Sequence, residues 1–267
     1  MGVPGVEFIF GYGSKMILKD KSFNILAIII VALLSAAMIL EEYILSGGLL
    51  PNDGYTYVMF SQQILTHGWR SALQAMPYMG KFPPLLVIFM VIGGKCGASP
   101  ALVGRLVDIV CILLATQGIL FCCLKLYKSR MTALMSALLV SSLPKIYLEG
   151  CGVMRDPLFW VEEIWIMCMI MQLADLSVLE KHPLFWRVLL LSGLCGLSVL
   201  TRKEGVFLSI LVYLVLAFIL FRKPSAARTR LLVLLGFPVA VVFIAFLPYC
   251  VGVPFVPLNF LFERALQ

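Results

Sequence analysis

Residues Phe23–Leu40 read FNILAIIIVALLSAAMIL, eighteen positions without a charge. The apolar residues follow one another without alternation, so this is not a barrel strand with one lipid face and one polar face. As a helix rising ~1.5 Å per residue, the run covers most of a hydrocarbon core of ~30 Å. A basic segment holding Lys15, Lys19 and Lys21 precedes it. The run is long for the apolar part of a secretory signal and more such runs follow. It is therefore expected to be an uncleaved first membrane helix.

Working outward, Ala101–Leu124, Met131–Leu148, Pro157–Leu176, Val188–Thr201, Val206–Phe221 and Leu231–Val251 read the same way. Of 267 residues, 61% are hydrophobic and 13% charged, with a mean hydropathy of +1.02. A soluble domain carries about 25% charged residues, so a water-soluble globule is excluded. Backbone in lipid must bond internally, which leaves helices or a closed barrel, and continuous runs select helices. The expected fold is all-α: a polytopic integral membrane protein with about seven transmembrane helices. Residues 1–267 form a single module with one large outer loop, 41–100, carrying amphipathic and re-entrant helices. No internal repeat, low-complexity tract or soluble domain is visible.

The net charge of +7 fits basic cytoplasmic loops rather than nucleic-acid binding. Eight cysteines lie mostly inside apolar runs without metal or disulfide spacing, and they read as small packing residues. His67 and His182 are single loop residues. Pro84–Cys96 is apolar but short, which suits a re-entrant or interfacial element. If it does not cross, one side of the membrane collects four basic clusters. These are Lys15, Lys19 and Lys21; Lys125, Lys128 and Arg130; Lys181 and Arg187; and Arg222, Lys223, Arg228 and Arg230. If it crosses, the Lys125 and Arg222 clusters fall opposite the N-terminus. The positive-inside rule selects the first topology. Glu41–Pro100, Glu149–Asp156 and the Thr201–Gly205 turn then face outward.

The outward segments hold the residues that can carry chemistry. Asp53 leads into an expected amphipathic helix, Tyr55–Thr66, and Asp156 precedes Pro157 at the start of a span. Either carboxylate suits a helix N-cap. Together at one membrane face they can also supply a general base toward an acceptor hydroxyl or amine, with the second orienting the acceptor or holding a metal. Glu162 and Glu163 sit two turns into a span, where an ionised group is costly. They read either as interfacial or as lining a polar cavity. Thr201-Arg202-Lys203-Glu204-Gly205 is a charged knot between two apolar runs, readable as a solvated turn or as a cationic phosphate site. Lys81 and Arg155 are further cations, and Arg105 lies just inside a span from which it can snorkel outward.

These pieces, in order, resemble the C-type glycosyltransferase superfamily, in the branch of protein O-mannosyltransferases and lipid A aminoarabinose transferases. The likeness runs from about Phe23 to Val251. It rests on Asp53-Gly54 with Tyr57, on Lys81 with Pro83-Pro84-Leu85, and on Val103 with Arg105-Leu106. Arg155-Asp156-Pro157-Leu158, and Gly196-Leu197 leading to Thr201-Arg202, Glu204 and Gly205, complete it. The resemblance implies an inverting transferase at the outer face, moving a sugar from a polyprenyl-phosphate donor to a glycan, lipid or protein acceptor. Asp53 would be the general base and Asp156 the second acidic residue. Lys81, Arg155, Arg202 and Lys203 would hold the phosphate, with Tyr57 and Glu204 beside them. Pro84–Cys96 would help form the lipid-side cleft. Many relatives place a second acidic residue next to the first-loop Asp. Here the neighbours are Asn52 and Gly54, which leaves a divalent metal cofactor open. Relatives are also longer, so the chain reads as C-terminally truncated. A bacterial inner membrane is the implied location. Two other readings stay open: a transporter or flippase of lipid-linked saccharides, suggested by Glu162, Glu163, Asp108 and Asp175, and a non-catalytic membrane subunit or remnant.

Overall fold

The computed structural model describes residues 21–46, 50, 52–127, 129–174, 184–222, 227–250 and 253. Lys15, Lys19, Lys128, Asp175, Lys181, His182 and Lys223 lie outside the described residues, as do the side chains of Lys21, Lys81, Arg222, Arg228 and Arg230. Among the described residues there are ten α-helices: α1 Lys21–Leu45, α2 Asn52–Ala75, α3 Leu85–Lys95, α4 Pro100–Leu126, α5 Arg130–Ser141, α6 Pro144–Gly150, α7 Asp156–Ala174, α8 Leu184–Thr201, α9 Glu204–Arg222 and α10 Ala227–Cys250. A 3₁₀ turn, Pro77–Lys81, joins α2 to α3. Six of the helices, α1, α4 and α7 to α10, are long and apolar enough to cross a membrane. The protein is an all-helical multi-pass membrane protein.

Local sequence explains the breaks. Ser99 caps α4, accepting from the Leu102 amide at 3.2 Å, with Pro100 next in line. Ser129 caps α5 in the same way, from Thr132 at 3.3 Å. The expected single span Met131–Leu148 is instead two short helices. Pro144 has no amide proton to continue α5, and it opens α6 at the first position, where none is needed. The pair still carries the chain from one end of α4 to the other. Leu134 and Ala137 pack with Leu120 and Leu124 near the end of α4, whereas Tyr147 packs with Ile112 and Ile39 nearer its start. Gly68, at φ 79°, bends α2, so the straight part is close to the expected Tyr55–Thr66. Helix α3 has 11 residues, about 16 Å of rise, and cannot span ~30 Å of hydrocarbon. It packs against α2 through Leu86, Val87, Met90 and Val91.

Helix α4 is the centre of one half of the bundle, with α1, α5 and α7 around it. Helices α7 to α10 form the other half around Leu191, Cys195, Val212 and Phe237. Cross-helix hydrogen bonds fix the register. Ser35 donates to the Thr116 hydroxyl at 3.0 Å, Gln117 Nε2 to the Ile28 carbonyl at 3.3 Å, and Trp165 Nε1 to the Leu114 carbonyl at 3.1 Å. In a membrane each contributes on the order of 0.6 kcal/mol. The close α4–α7 packing brings Cys122 Sγ to 3.2 Å from Cys168 Sγ, and both are free thiols. Iodine treatment of the membrane-embedded protein is therefore expected to join them. Mass spectrometry of the unreduced digest should then show a peptide pair linked through Cys122 and Cys168. Linkage of other cysteines instead would mean a different register.

Candidate functional site

Following the helices places α1's C-terminus, α2, the 150–156 segment and the 201–205 turn at one end of the bundle. Arg130, whose guanidinium lies 5.7 Å from the Phe23 ring, marks the other end. Arg105 stays at the first end, with its guanidinium 5.3 Å from the Tyr43 ring.

Helix α8 stops at Thr201 and α9 starts at Glu204, so Arg202 and Lys203 form a tight turn between antiparallel helices. Gly205 allows the closure, because a Cβ there would run into the Ser198 backbone. From this turn Arg202 reaches α7. Its Nη1 donates to Asp156 Oδ1, and its Nε donates to Glu204 Oε2 at 3.3 Å. The Arg202 side chain is 27% exposed and that of Asp156 22%, so water screens the pair only partly. The guanidinium also lies 5.5 Å from the Phe159 ring. One layer deeper, Thr201 donates to Glu162 Oε1 at 2.8 Å, and Glu162 is 3% exposed. The turn is thus tied to α7 twice.

The second contributor is α2. The helix begins at Asn52, which puts Asp53 inside its first turn rather than before it as an N-cap, and Asp53 is exposed. Negative charge is favoured there by the helix dipole. Gly54 packs directly on the 150–156 segment: a Cβ at this position would collide with the Gly152 carbonyl. Tyr57, one turn on, is buried. Burial pushes its phenol above the ordinary value. Arg155 pulls it down, Asp53 and Asp156 push it up, and Arg202 pulls it down. Four of the expected site residues therefore act on one hydroxyl. Phe82 completes the wall, edge-on to Tyr57 with centroids 6.5 Å apart and under the Arg155 guanidinium at 5.1 Å.

The remaining expected residues divide. Lys203 is exposed beside Glu204. The backbone of Lys81 closes the 3₁₀ turn one residue before Phe82. Arg202 and Glu204, expected to serve a phosphate, are engaged with each other, and Arg202 with Asp156 as well. Among the described residues, Arg155 and Lys203 are the site cations without an ion-paired carboxylate. The two glutamates separate: Glu162 turns into the bundle, and Glu163 is exposed within electrostatic reach of Arg202 and Glu204. Burial, then Asp108 and Glu42, push the Cys151 thiol up to about 11, so it stays protonated and inert. Among the described residues no three His, Cys, Asp or Glu side chains group to hold a metal ion, so the donor set does not fit one.

A hollow of about 20 Å³ lies at the start of the Pro84–Cys96 stretch, lined by Phe60, Trp69, Phe82, Pro84 and Val87. A groove of about 340 Å³ opens between α9 and α10, lined by Val199, Val206, Tyr213, Phe237 and Val241. Val206 lies just past the charged turn. Sequence reasoning missed Phe82 and Phe159, which no local pattern marks. It had a signal for Asp108, a lone acid in an apolar run. No protein-family model, curated protein or solved structure matches the chain.

Replacing Arg202 with Met is expected to leave the largely buried Asp156 without its ion-pair partner. Stability should fall by about 1–3 kcal/mol, read as a lower Tm in detergent. Adding Asp156→Asn should restore part of the loss. A double variant less stable than R202M would contradict the pairing.

Proposed function

We propose that this chain is the catalytic part of a membrane glycosyltransferase that takes its sugar from a polyprenyl-phosphate donor. The single observation that carries the reading is the meeting of three chain segments at one end of the bundle. Gly54 at the start of α2 presses on Gly152, Arg202 of the α8–α9 turn binds Asp156 at the start of α7, and Phe82 lies between Tyr57 and the Arg155 guanidinium. That end would face the outside of a bacterial inner membrane.

The chemistry asks for a base and an anion site a few ångströms apart. Asp53 is exposed and can meet an acceptor hydroxyl or amine arriving from water. It takes the acceptor's proton as the acceptor attacks the anomeric carbon. The bond from that carbon to the phosphate oxygen breaks, and polyprenyl phosphate leaves with the electron pair. Attack opposite the leaving group inverts the anomeric centre. Negative charge grows on the phosphate, where fixed cations are most effective. Arg155, held over Phe82, and Lys203 are free to meet it, and Lys81 is close in sequence. Arg202 instead fixes Asp156, and Tyr57 can donate a hydrogen bond. The α9–α10 groove offers an apolar path for a lipid chain away from the charged turn.

Asp53→Asn is expected to reduce transfer from a polyprenyl-phosphate sugar by at least about a hundredfold, the usual worth of a general base. Membrane insertion and Tm should not change. Undiminished transfer would refute the role. The transporter reading has one observation in its favour, the burial of Asp108 and Glu162 within spans. Movement of a lipid-linked saccharide across proteoliposomes, unaffected by D53N, would support that reading instead.

A further inference from the structure

We propose that Asp108, inside α4, is a positioning residue that sets the Arg155–Asp156 segment for ligand binding. Asp108 is fully buried. A carboxylate at such a place in an apolar helix is costly in lipid, and simple packing does not require one. Its Oδ2 accepts the Met154 amide at 3.2 Å, the neighbouring Val153 amide lies close to the carboxylate, and Oδ1 has no hydrogen-bond partner among the described residues. These two amides immediately precede Arg155 and Asp156.

The held backbone is under strain. Val153 has φ 60°, a left-handed conformation that a β-branched residue rarely adopts. It persists because its surroundings fix it. The Val153 side chain is fully buried against Gly104, where a Cβ would press into it. Gly104 and Asp108 are one turn apart on α4, so one helix face grips the segment by both side chain and backbone. From the other side, Gly54 presses on Gly152. Asp108 thereby passes the position of α4 to Arg155 and Asp156 without touching a ligand itself.

The effect on binding rests on the proposed function; the grip on the loop does not. The test compares wild type, Asp108→Asn and Asp108→Leu in nanodiscs by hydrogen–deuterium exchange and by binding of farnesyl phosphate. The amides of Val153 and Met154 should exchange about threefold faster in D108N, which keeps only one acceptor oxygen, and at least about tenfold faster in D108L. Farnesyl phosphate affinity should fall in the same order, with exchange in α8 unchanged. Unaltered exchange at Val153 and Met154 in D108N and D108L overturns the proposal. So does faster exchange with unaltered affinity. If D108L does not insert, D108N alone decides. A wild-type protein that does not bind farnesyl phosphate contradicts the transferase reading, and the exchange comparison still decides whether Asp108 holds the loop.

Discussion

The Arg202–Asp156 ion pair ties the start of α7 to the α8–α9 turn, at the end of the buried core these helices share. Asp156 opens α7 and Arg202 sits on the α8–α9 turn. Partial burial makes the pair directional and limits screening by salt. It also makes the loss of one partner more costly than the pair is stabilising. With Glu204 on the other edge of the guanidinium and Phe159 beneath it, Arg202 has little freedom to turn elsewhere. Asp156 is therefore held at a defined place, and the Tyr57–Phe82 wall of the first loop is built up to it.

The bilayer imposes the rest. Long apolar helices satisfy their own backbone groups and need few specific contacts, so irregular backbone collects at the ends of the bundle. The site is assembled from such ends: the first turn of α2, the strained 150–156 segment and the 201–205 turn. The short helix α3 supports it from the side, and the 3₁₀ turn before α3 delivers Phe82. Positive charge at this end is offset by Asp53, Asp156 and Glu204, whereas the described Lys125, Arg130 and Arg187 lie at the other end.

The helical class, the six long spans and the short α3 were legible because lipid writes its demands into composition and run length. The division of Met131–Leu148 into α5 and α6 was less legible, since Pro144 marks a break without saying whether the chain still crosses. At the site, Asp156 and Asp53 could be picked out, but their meeting could not. It depends on Gly54 touching Gly152 and on Arg202 reaching Asp156, contacts between residues about fifty to a hundred positions apart. The same limit applies to Arg202. Its sequence neighbours show a cation beside Glu204, and only tertiary packing shows Asp156 as its second partner. Asp108 was visible as an anomaly, and its partners, the backbone amides of another segment, leave no trace in side-chain identity.

The central claim is that α2, the 150–156 segment and the 201–205 turn share one membrane face. Membrane-impermeant maleimide labelling in sealed vesicles of known orientation tests it most directly, using single cysteines at Tyr55, Lys203 and Tyr127 in a cysteine-free background. All three positions are exposed. The account predicts that Tyr55→Cys and Lys203→Cys label from the same side and Tyr127→Cys from the opposite side. Labelling of Tyr55→Cys and Lys203→Cys from opposite sides would contradict it.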